Sequence, residues 1–490
     1  MYGIASMLLA ALALSVVSCA NPEAVTVSTP IPVPKVLQTS ATLLSDNNLI
    51  TEVRISLDMD ARVAVEYGNS AVGTFRTKAT ESAAKDHLVP LLRLRPETSY
   101  EYTVVTIDER GEHHDSRRAS FTTGQLPEAL NRLEFTVNGA PTSELVLFDF
   151  QDTPDSFYIM IDQDSNIVWY YRNEETDPER PTAVRAIRQK PNGNFVFWEG
   201  GPTGRFFNCC LKEITPVGEL VDRLVNNDVD KFAHHDLLVL PDNKILYIAH
   251  EIVEIDDTAN GGEPGTRVLI ESLREWDQNN HTTREIWDSL DHYSTDTRVR
   301  WSGDIVSWLH TNSVQIGPRG NYILSLRNIN QVVSISPSGQ SVEWKLGGPD
   351  SDYAFEYPSN RFYAQHSATE LPNGNILVFD NGNDRPEEEG GEYSRALELT
   401  LNTYEGLAKK VWEYRPQPDL YASSRSSAYR LKNGNTLINF ESNDQDPPRI
   451  IVEIAPDGTE IFNLEMRSES IRRGYRAHSY ESVAGETRIR

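Results

Sequence analysis

The sequence lacks several features that would place it in common protein classes. It has only three Cys in 490 residues, so a disulfide framework does not hold the fold together. Positive charge is also scarce: 46 Lys and Arg against 72 Asp and Glu give a net charge of −26. That balance argues against nucleic acid as a partner, because phosphate binding needs a basic surface.

The residues that are abundant predict a folded chain rich in turns. Hydrophobic residues make up 39% of the sequence, with 20 Tyr, 16 Phe and 8 Trp, which is enough for a real core. The 29 Gly and 27 Pro favour many short turns over long helices. Because one core stops growing at roughly 250 to 300 residues, we expect one large domain and at least one small one.

The N-terminus carries a short apolar run, Met7 to Val17, followed by Ser and Cys19. The run is shorter than the roughly 20 residues that span a bilayer, and it resembles a bacterial lipoprotein signal. Residues 1–6 lack the basic residues usual in an export signal, which leaves plain secretion open as an alternative. We therefore predict a signal peptide at 1–19, lipidation of Cys19, a Pro/Thr-rich tether at 20–37, and a periplasmic or outer-membrane lipoprotein that contacts the membrane only through its lipid.

Residues 38–126 alternate apolar and polar side chains in short runs, such as those at 53–57 and 63–67. This period of two, broken by turn residues, predicts a small β-sandwich. The later part of the segment resembles a fibronectin type III domain, a fold that serves as a spacer or a binding module. The residues that carry this resemblance are Leu94, Pro96, Tyr100 and Tyr102.

Residues 127–490 contain a repeat of strands and turns. A tight turn followed by an apolar strand occurs five times, at 191, 241, 318, 372 and 432. A later strand occurs six times, beginning at 165, 218, 283, 341, 408 and 458. Repeats of several short strands at intervals of roughly 50 to 70 residues are typical of a β-propeller, so we predict six blades in an all-β protein.

The two counts also predict how the ring closes. The first later strand has no tight turn before it, whereas the segment at 478–486 resembles the one at 366–374. A strand near the C-terminus should therefore complete a blade that begins near Leu145. N-terminal and C-terminal strands would then close the propeller and remove an exposed sheet edge.

The repeat also indicates where chemistry is concentrated. The position six residues before the turn holds Arg185, His235, His366 and Ser426, and we assign His310 and His478 to the same position. Because the innermost strands of a propeller line its channel, these side chains should meet on the axis. His234 should point the opposite way in a strand and is interpreted as structural. Cys209 and Cys210 form either a vicinal disulfide or a pair of thiols.

Several imidazoles at one position suit either a zinc or copper site or a site for an anion. The accompanying Arg favours the anion, so we expect no metal and no cofactor.

A set of motifs in order along 130–480 resembles the bacterial aryl-sulfate sulfotransferases that do not use phosphoadenylyl sulfate. The motifs are FAHHDLLVLPDN (232–243), WLHTNSVQI (308–316), LSLRNINQVVSI (324–335), KLGGP (345–349), QHSATELPNGNILVFDNG (365–382), SRALEL (394–399) and YRA (475–477). The resemblance implies a propeller that moves a sulfuryl group from a phenolic sulfate ester to a phenolic acceptor through a sulfated histidine.

The resemblance also implies roles for individual residues. His366 corresponds to the histidine that is sulfated, and the supporting groups correspond to His235, His310, Arg327 and Asn312; His478 joins them as a substrate-binding residue through its assigned repeat position. A neutral imidazole can attack the sulfur of a sulfate ester, and Arg327 can stabilise the developing charge. The alternative for Arg327 is an ion pair with Asp380.

Two other functions remain open from the sequence. One is a different enzyme on the same propeller, such as a polysaccharide lyase or an ester hydrolase. The other is a non-catalytic lipoprotein that binds a glycan or a protein. The expected partners are small phenolic donors and acceptors, and the sequence leaves a homodimer open.

Overall fold

The computed structural model describes residues 32–489 except 116, 153–154, 174–185, 201–207, 226–230, 261–262, 295–298, 302–304, 442–447 and 468–473. Cys19, the tether up to residue 31 and Arg185 therefore lie outside the described residues. The described chain is almost entirely β-structure, with one α-helix of four residues and five short 3-10 helices. Among these residues no helix is long and apolar enough to cross a membrane.

The first seven strands form a β-sandwich around one apolar core. They are β1 (Val36–Leu44), β2 (Asn47–Asn69), β3 (Gly73–Arg76), β4 (Ala84–Leu91), β5 (Ser99–Asp108), β6 (Gly111–His114) and β7 (Ala119–Thr122). The long strand β2 pairs with β1 and β4 in one layer and with β3 and β5 in the other. Alternate residues of β2, including Val53, Ile55 and Val63, are buried between the layers, as the period of two predicts.

The remaining elements build the propeller and its connections. In chain order they are α1 (Glu128–Asn131), β8 (Glu134–Gly139), β9 (Leu145–Asp152), β10 (Asp155–Asp162), β11 (Ile167–Asn173), β12 (Ile187–Gln189), β13 (Phe195–Gly200), β14 (Asn208–Ile214), β15 (Leu220–Val225), β16 (Lys231–Leu240), β17 (Lys244–Asp256), β18 (Pro264–Asp277), β19 (Thr282–Asp288), β20 (Val299–Trp301), β21 (Ile305–Ser307), β22 (Thr311–Ile316), β23 (Tyr322–Leu326), β24 (Gln331–Ile335), β25 (Val342–Leu346), β26 (Ala354–Phe355), β27 (His366–Glu370), β28 (Ile376–Asp380), β29 (Arg395–Asn402), β30 (Leu407–Tyr414), β31 (Ser427–Arg430), β32 (Thr436–Phe440), β33 (Arg449–Ile454), β34 (Glu460–Arg467), β35 (Ala477–Tyr480) and β36 (Thr487–Ile489). The 3-10 helices are Thr258–Asn260, Ser289–Asp291, Arg327–Ile329, Pro358–Asn360 and Glu387–Glu389.

Six antiparallel blades follow one another around the ring, which confirms the predicted propeller. In order from the first to the sixth, the blades consist of β9–β11 with β35, β12–β15, β16–β19, β22–β25, β27–β30 and β31–β34. The six later strands of the repeat are the outer strands β11, β15, β19, β25, β30 and β34. Each blade is covered by its neighbours, so its inner strands, such as β24, β28 and β32, are buried on both faces, whereas outer strands such as β15 and β19 are partly exposed.

Strands from both ends of the propeller region close the ring. β35 pairs with β9 as the innermost strand of the first blade, with Tyr480 opposite Leu145, and this confirms the predicted seam. β8 pairs with β34 as a fifth strand on the outside of the sixth blade. The first and sixth blades share a core that includes Phe148, Ile159 and Leu464. Burying side chains of this size contributes about 1.5 to 3 kcal/mol each.

The sandwich is attached to the first blade and to the end of the described chain. Arg95 forms ion pairs with Asp162 and Asp164 of the first blade. The side chain of Asn47 donates to the backbone oxygen of Tyr170 at 2.8 Å. The last strand, β36, leaves the propeller and pairs with β3 of the sandwich. The two domains are therefore joined by contacts at both ends of the described chain.

Candidate active site in the central channel

Four hydrogen bonds between neighbouring innermost strands define equivalent positions around the channel. In each, a side-chain oxygen accepts from a backbone N–H of the next blade. The pairs are Asp236 with Val314 (3.2 Å), Ser313 with Ala368 (3.1 Å), Ser367 with Ala428 (3.0 Å) and Ser427 with Ala477 (3.3 Å). The residue before each acceptor therefore occupies the same place in its blade.

This register corrects two of the sequence assignments. The shared position holds His235, Asn312, His366 and Ser426, and Tyr475 precedes the equivalent residue Arg476 in the closing strand. His310 lies two residues before the shared position and His478 three residues after it. The assignment of His310 was wrong because the fourth blade has no insertion before its turn, and that of His478 because the closing strand offers no turn from which to count.

At the channel end of these strands, the backbone departs from regular strand geometry. His235 and His310 both have φ of 55°, in the left-handed region that non-glycine residues rarely adopt. At His235 the pairing of β16 with β17 also shifts register. A bulge of this kind redirects side chains, so His234 does not point away from His235 as the sequence pattern predicts. Their ring centroids lie 3.5 Å apart, so the expectation that His234 points the opposite way was wrong.

Four histidines of the third and fourth blades form one group, hereafter the histidine cluster: His234, His235, His250 and His310. The ring of His235 lies 4.7 Å from that of His310, and the ring of His234 lies 3.9 Å from that of His250. His250 lies outside the repeated position and was therefore assigned no role. The carboxyl of Glu271 accepts the backbone N–H of His310 at 2.8 Å, and burial raises its pKa to about 8.

His366 is buried across the channel, in contact with Tyr475. The two ring centroids lie 6.3 Å apart, and that of Tyr475 lies 6.0 Å from that of His235. The pKa of His366 is well below its usual value, first because of burial and then because of the positive charge of Arg327. The imidazole is therefore neutral at pH 7.

Two hydrogen bonds fix which nitrogen of His366 carries its proton. The backbone N–H of Arg425 donates to Nε2 at 3.2 Å, so Nε2 holds a lone pair. Nδ1 must then carry the hydrogen, which it donates to Oδ1 of Asn381 at 2.7 Å. The amide of Asn381 is held in turn by the backbone oxygens of Ala422 and Arg425. The lone pair of Nε2 is thus the nucleophilic position of this ring.

Arg327 follows β23 and begins a short 3-10 helix. Its guanidinium donates to the side chain of Asn328 at 3.3 Å and to the backbone oxygen of Ser423 at 3.2 Å, and burial lowers its pKa. The alternative partner, Asp380, is instead bound by Arg385 at 2.7 Å and Arg395 at 2.9 Å. Within the described part of the chain no carboxylate forms an ion pair with Arg327, so the structural alternative was wrong.

Asn312 and the closing strand meet in the centre of the channel. The side chain of Asn312 donates to the backbone oxygen of Gln365 at 2.8 Å, which fixes the residue before His366. The backbone oxygen of Asn312 accepts from Tyr475 at 3.1 Å and from Arg476 at 2.7 Å. Asn312 therefore connects the fourth, fifth and first blades at the level of His366.

His478 belongs to a deeper layer of the channel. Its Nε2 accepts from Arg188 at 2.6 Å, and its ring lies 4.7 Å from that of Tyr429. Arg188 and Arg476 both form ion pairs with Asp236. Burial and these two guanidinium groups lower the pKa of His478 well below its usual value. The contacts of His478 are thus with this lower network, not with the histidine cluster.

Sequence reasoning missed several residues around His366. Tyr475 was part of a quoted motif, and Asn381 is the second-last residue of the motif that contains His366, but neither was assigned a role. Tyr475 could not be found from the sequence, because the register of the closing strand is set by the hydrogen bond of Ala477, which only the structure shows. Asn381 could not be found by counting, because it acts from the second strand of the blade. Cys210 is disulfide-bonded, and the side chain of Cys209 lies outside the described residues.

Comparison with known proteins gives solved structures of low sequence identity. A protein of unknown function from Bacteroides caccae is 14% identical, with 68% of this chain and 98% of that chain covered and a TM-score of 0.43. A streptogramin B lyase is 11% identical, with 72% and 91% covered and a TM-score of 0.37. An inactive virginiamycin B lyase from Staphylococcus aureus, solved with quinupristin, is 10% identical, with 69% and 88% covered and a TM-score of 0.36.

A search of curated protein sequences found no significant match. A family model gives the assignment instead. The model described as arylsulfotransferase (ASST) matches residues 125–476, which make up more than half of the chain and extend from before β8 to the start of the closing strand. With the histidines, the arginine and the closed six-bladed ring already located within these residues, the chain belongs to the arylsulfotransferase family.

Proposed function

We propose that this protein transfers a sulfuryl group from a phenolic sulfate ester to a phenolic acceptor, with His366 as the covalent carrier. Membership of the arylsulfotransferase family supports sulfotransferase chemistry over the lyase, hydrolase and non-catalytic alternatives. The observation that carries the proposal is the pair of hydrogen bonds on His366. They leave a neutral imidazole with the lone pair on Nε2, which is the form that a nucleophile needs.

In the first half of the reaction, Nε2 of His366 attacks the sulfur of the donor. The N–S bond forms as the bond between sulfur and the phenolic oxygen breaks, and the electron pair leaves with that oxygen. The ring becomes a sulfated imidazolium that still carries its hydrogen on Nδ1. Its positive charge strengthens the hydrogen bond from Nδ1 to Asn381, because charge-assisted bonds are roughly twice as strong as neutral ones.

The anionic sulfuryl group requires donors around it during this step. Arg327 supplies a guanidinium whose charge already acts on His366. The backbone N–H of Arg425 donates to Nε2 at 3.2 Å before the reaction. Once sulfur is bonded to Nε2, this N–H donates to a sulfuryl oxygen instead. Donors that are already in position cost little reorganisation when the charge develops.

A neighbouring imidazole handles the proton of the phenol. We assign this role to His310, which is the histidine whose charge acts on His366 and whose backbone is fixed by Glu271. A phenol has a pKa of about 10, so His310 protonates the departing oxygen and later accepts the proton of the acceptor. The acceptor oxygen then attacks the sulfur and the N–S bond breaks, which restores His366. His235 supports His310 through its ring contact at 4.7 Å.

The N-terminal predictions complete the proposal. Cys19 lies outside the described residues, and we propose that it carries a lipid that holds the enzyme in the cell envelope. The sandwich resembles a fibronectin type III domain in sequence, and we propose that it acts as a spacer between that anchor and the propeller.

The test is release of phenol from a chromogenic aryl sulfate, with and without a phenolic acceptor. We expect release to depend on the acceptor and to disappear in His366→Asn, while the far-UV spectrum and the melting temperature stay close to those of the parent. Without the acceptor, the parent should gain the mass of one sulfuryl group on the peptide that contains His366. His281→Asn, at an exposed turn of the third blade, is the matched control.

An active, folded His366→Asn protein would remove His366 from the mechanism. Release of phenol that does not need an acceptor, with sulfate as the product, would indicate a hydrolase instead.

A further inference from the structure

Three members of the histidine cluster have the geometry of a metal site. One ring nitrogen from each of His234, His235 and His250 can be chosen so that all three atoms lie within 4.8 Å of one another. The three side chains are 2%, 4% and 1% exposed, so water competes little with a bound ion. Neutral imidazole nitrogens are ligands that zinc and copper prefer.

The fold explains why three histidines converge here. His234 pairs with Ile248 across β16 and β17, and His250 lies two residues further along β17. These two side chains therefore share one face of the sheet as diagonal neighbours. The bulge at His235, with its positive φ, brings the third ring to the same face. Two strands and one bulge thus build the site, without a flexible loop.

We propose that His234, His235 and His250 bind one divalent transition metal ion, Zn²⁺ or Cu²⁺, through one nitrogen each. Three protein ligands leave a fourth position of a tetrahedral ion open for a water molecule or for His310, whose ring lies 4.7 Å from that of His235. The sulfuryl transfer proposed above needs no metal. The ion would bind in the same channel as the substrate. It would compete with the catalytic role of His235 in supporting His310.

The shared residue gives the site a consequence for activity. A metal ion on His235 fixes the orientation of its ring and adds positive charge next to His310. His235 bound to the metal is then no longer available to support His310 through their ring contact at 4.7 Å. Metal binding should therefore inhibit sulfuryl transfer reversibly. This part of the inference rests on the proposed function, whereas the binding itself does not.

The test begins with metal binding alone. Chelator-treated protein is titrated with Co²⁺, which reports a tetrahedral site by its visible absorption, and then with Zn²⁺, which displaces it. We expect one equivalent per chain and at least a tenfold weaker affinity in His250→Ala. His281→Ala is the matched control, because His281 is an exposed histidine of the same blade. Since the replacement could disturb the core, His250→Gln, of similar volume, is measured beside it with a melting curve.

Absence of a stoichiometric site, or equal affinity in folded His250→Gln, would overturn the proposal. Activity is a separate readout: Zn²⁺ should abolish phenol release in the parent, a chelator should restore it, and His250→Gln should need at least tenfold more metal for the same loss. If the protein has no sulfotransferase activity at all, the Co²⁺ titration still decides the metal site.

Discussion

At the scale of single residues, the arrangement around His366 separates the two nitrogens of one ring by function. Asn381 engages Nδ1 and thereby leaves the lone pair on Nε2, where the proposed mechanism forms its bond to sulfur. The same ring is kept neutral by burial and by Arg327. In the proposed mechanism, the single charge of Arg327 lowers the pKa of the nucleophile and also attracts its anionic substrate.

The replacement of Arg327 by Lys tests that role. Lys keeps one positive charge but loses the planar fork that can bind two sulfuryl oxygens, so kcat/KM should fall about 100-fold. Arg327→Met loses the charge as well and should fall further. Both proteins should melt within a few degrees of the parent, because among the described residues no carboxylate pairs with Arg327. A destabilised but fully active Arg327→Met protein would contradict the assignment.

At the scale of strands and turns, the sequence predicted the repeated strands and missed the shifts in register within the innermost strands. The apolar strands and the tight turns recur six times or nearly so, and they specify the blades and the seam at β35. The pairing of the innermost strand with the second strand shifts register at His235, where it brings two adjacent side chains to one face, and it shifts again in the fourth and fifth blades. A shift of one residue reverses the face of every side chain in a strand, so counting could not place His234. His310 was misplaced for another reason, because an insertion was assumed before the turn of the fourth blade.

Glu271 on β18 supports the segment before β22, and its ionisation should couple to stability. Its pKa in the folded protein is about 8 against an ordinary value of 4.5, so the folded state binds a proton that the unfolded state releases between these values. Stability should therefore decrease as the pH rises from 4.5 to 8. In Glu271→Gln, which retains an acceptor for His310, this contribution is absent.

Melting curves of both proteins across this range provide the measurement. The difference in melting temperature between parent and variant should shift in favour of Glu271→Gln as the pH increases. Groups that the two proteins share, such as Glu441 with a pKa of about 7, cancel in that difference. A difference that does not change with pH would show that Glu271 titrates normally.

The closing strand can be tested by two truncations that differ by one strand. A chain that ends after Glu486 loses β36 alone, and its propeller should remain folded, with a small loss from the sandwich. A chain that ends after Gly474 also loses β35, which exposes the edge of β9 and removes Tyr475. It should be insoluble or susceptible to proteolysis under conditions in which the longer chain is stable. Equal protease resistance of the two would contradict the role of β35 as a seam.

At the scale of the whole molecule, a strongly acidic protein must admit an anionic substrate. The net charge of −26 repels aryl sulfates at a distance, whereas Arg327, Arg188 and Arg476 lie inside the channel. Salt screens the distant repulsion more than the short contacts, since the Debye length falls from about 30 Å at 0.01 M to about 10 Å at 0.1 M.

Raising the ionic strength over this range should therefore increase kcat/KM for the donor several-fold. The neutral phenolic acceptor serves as an internal control, because its kcat/KM in the second half-reaction should change little. A donor rate that decreases with salt would indicate that the channel, not the outer surface, dominates the approach.

The pairing of β36 with β3, together with that of β35 with β9, also determines when the two domains can finish folding during synthesis. Residues 475–489 are the last described residues to be synthesised. They nevertheless complete a sheet of the N-terminal sandwich, the first blade and the wall of the channel at Tyr475. Domains generally fold as they emerge, N-terminal part first. In this protein, the first blade and one sheet of the sandwich are completed only by the last strands of the described chain, so a chain whose synthesis is incomplete carries His366 without the channel wall that Tyr475 provides.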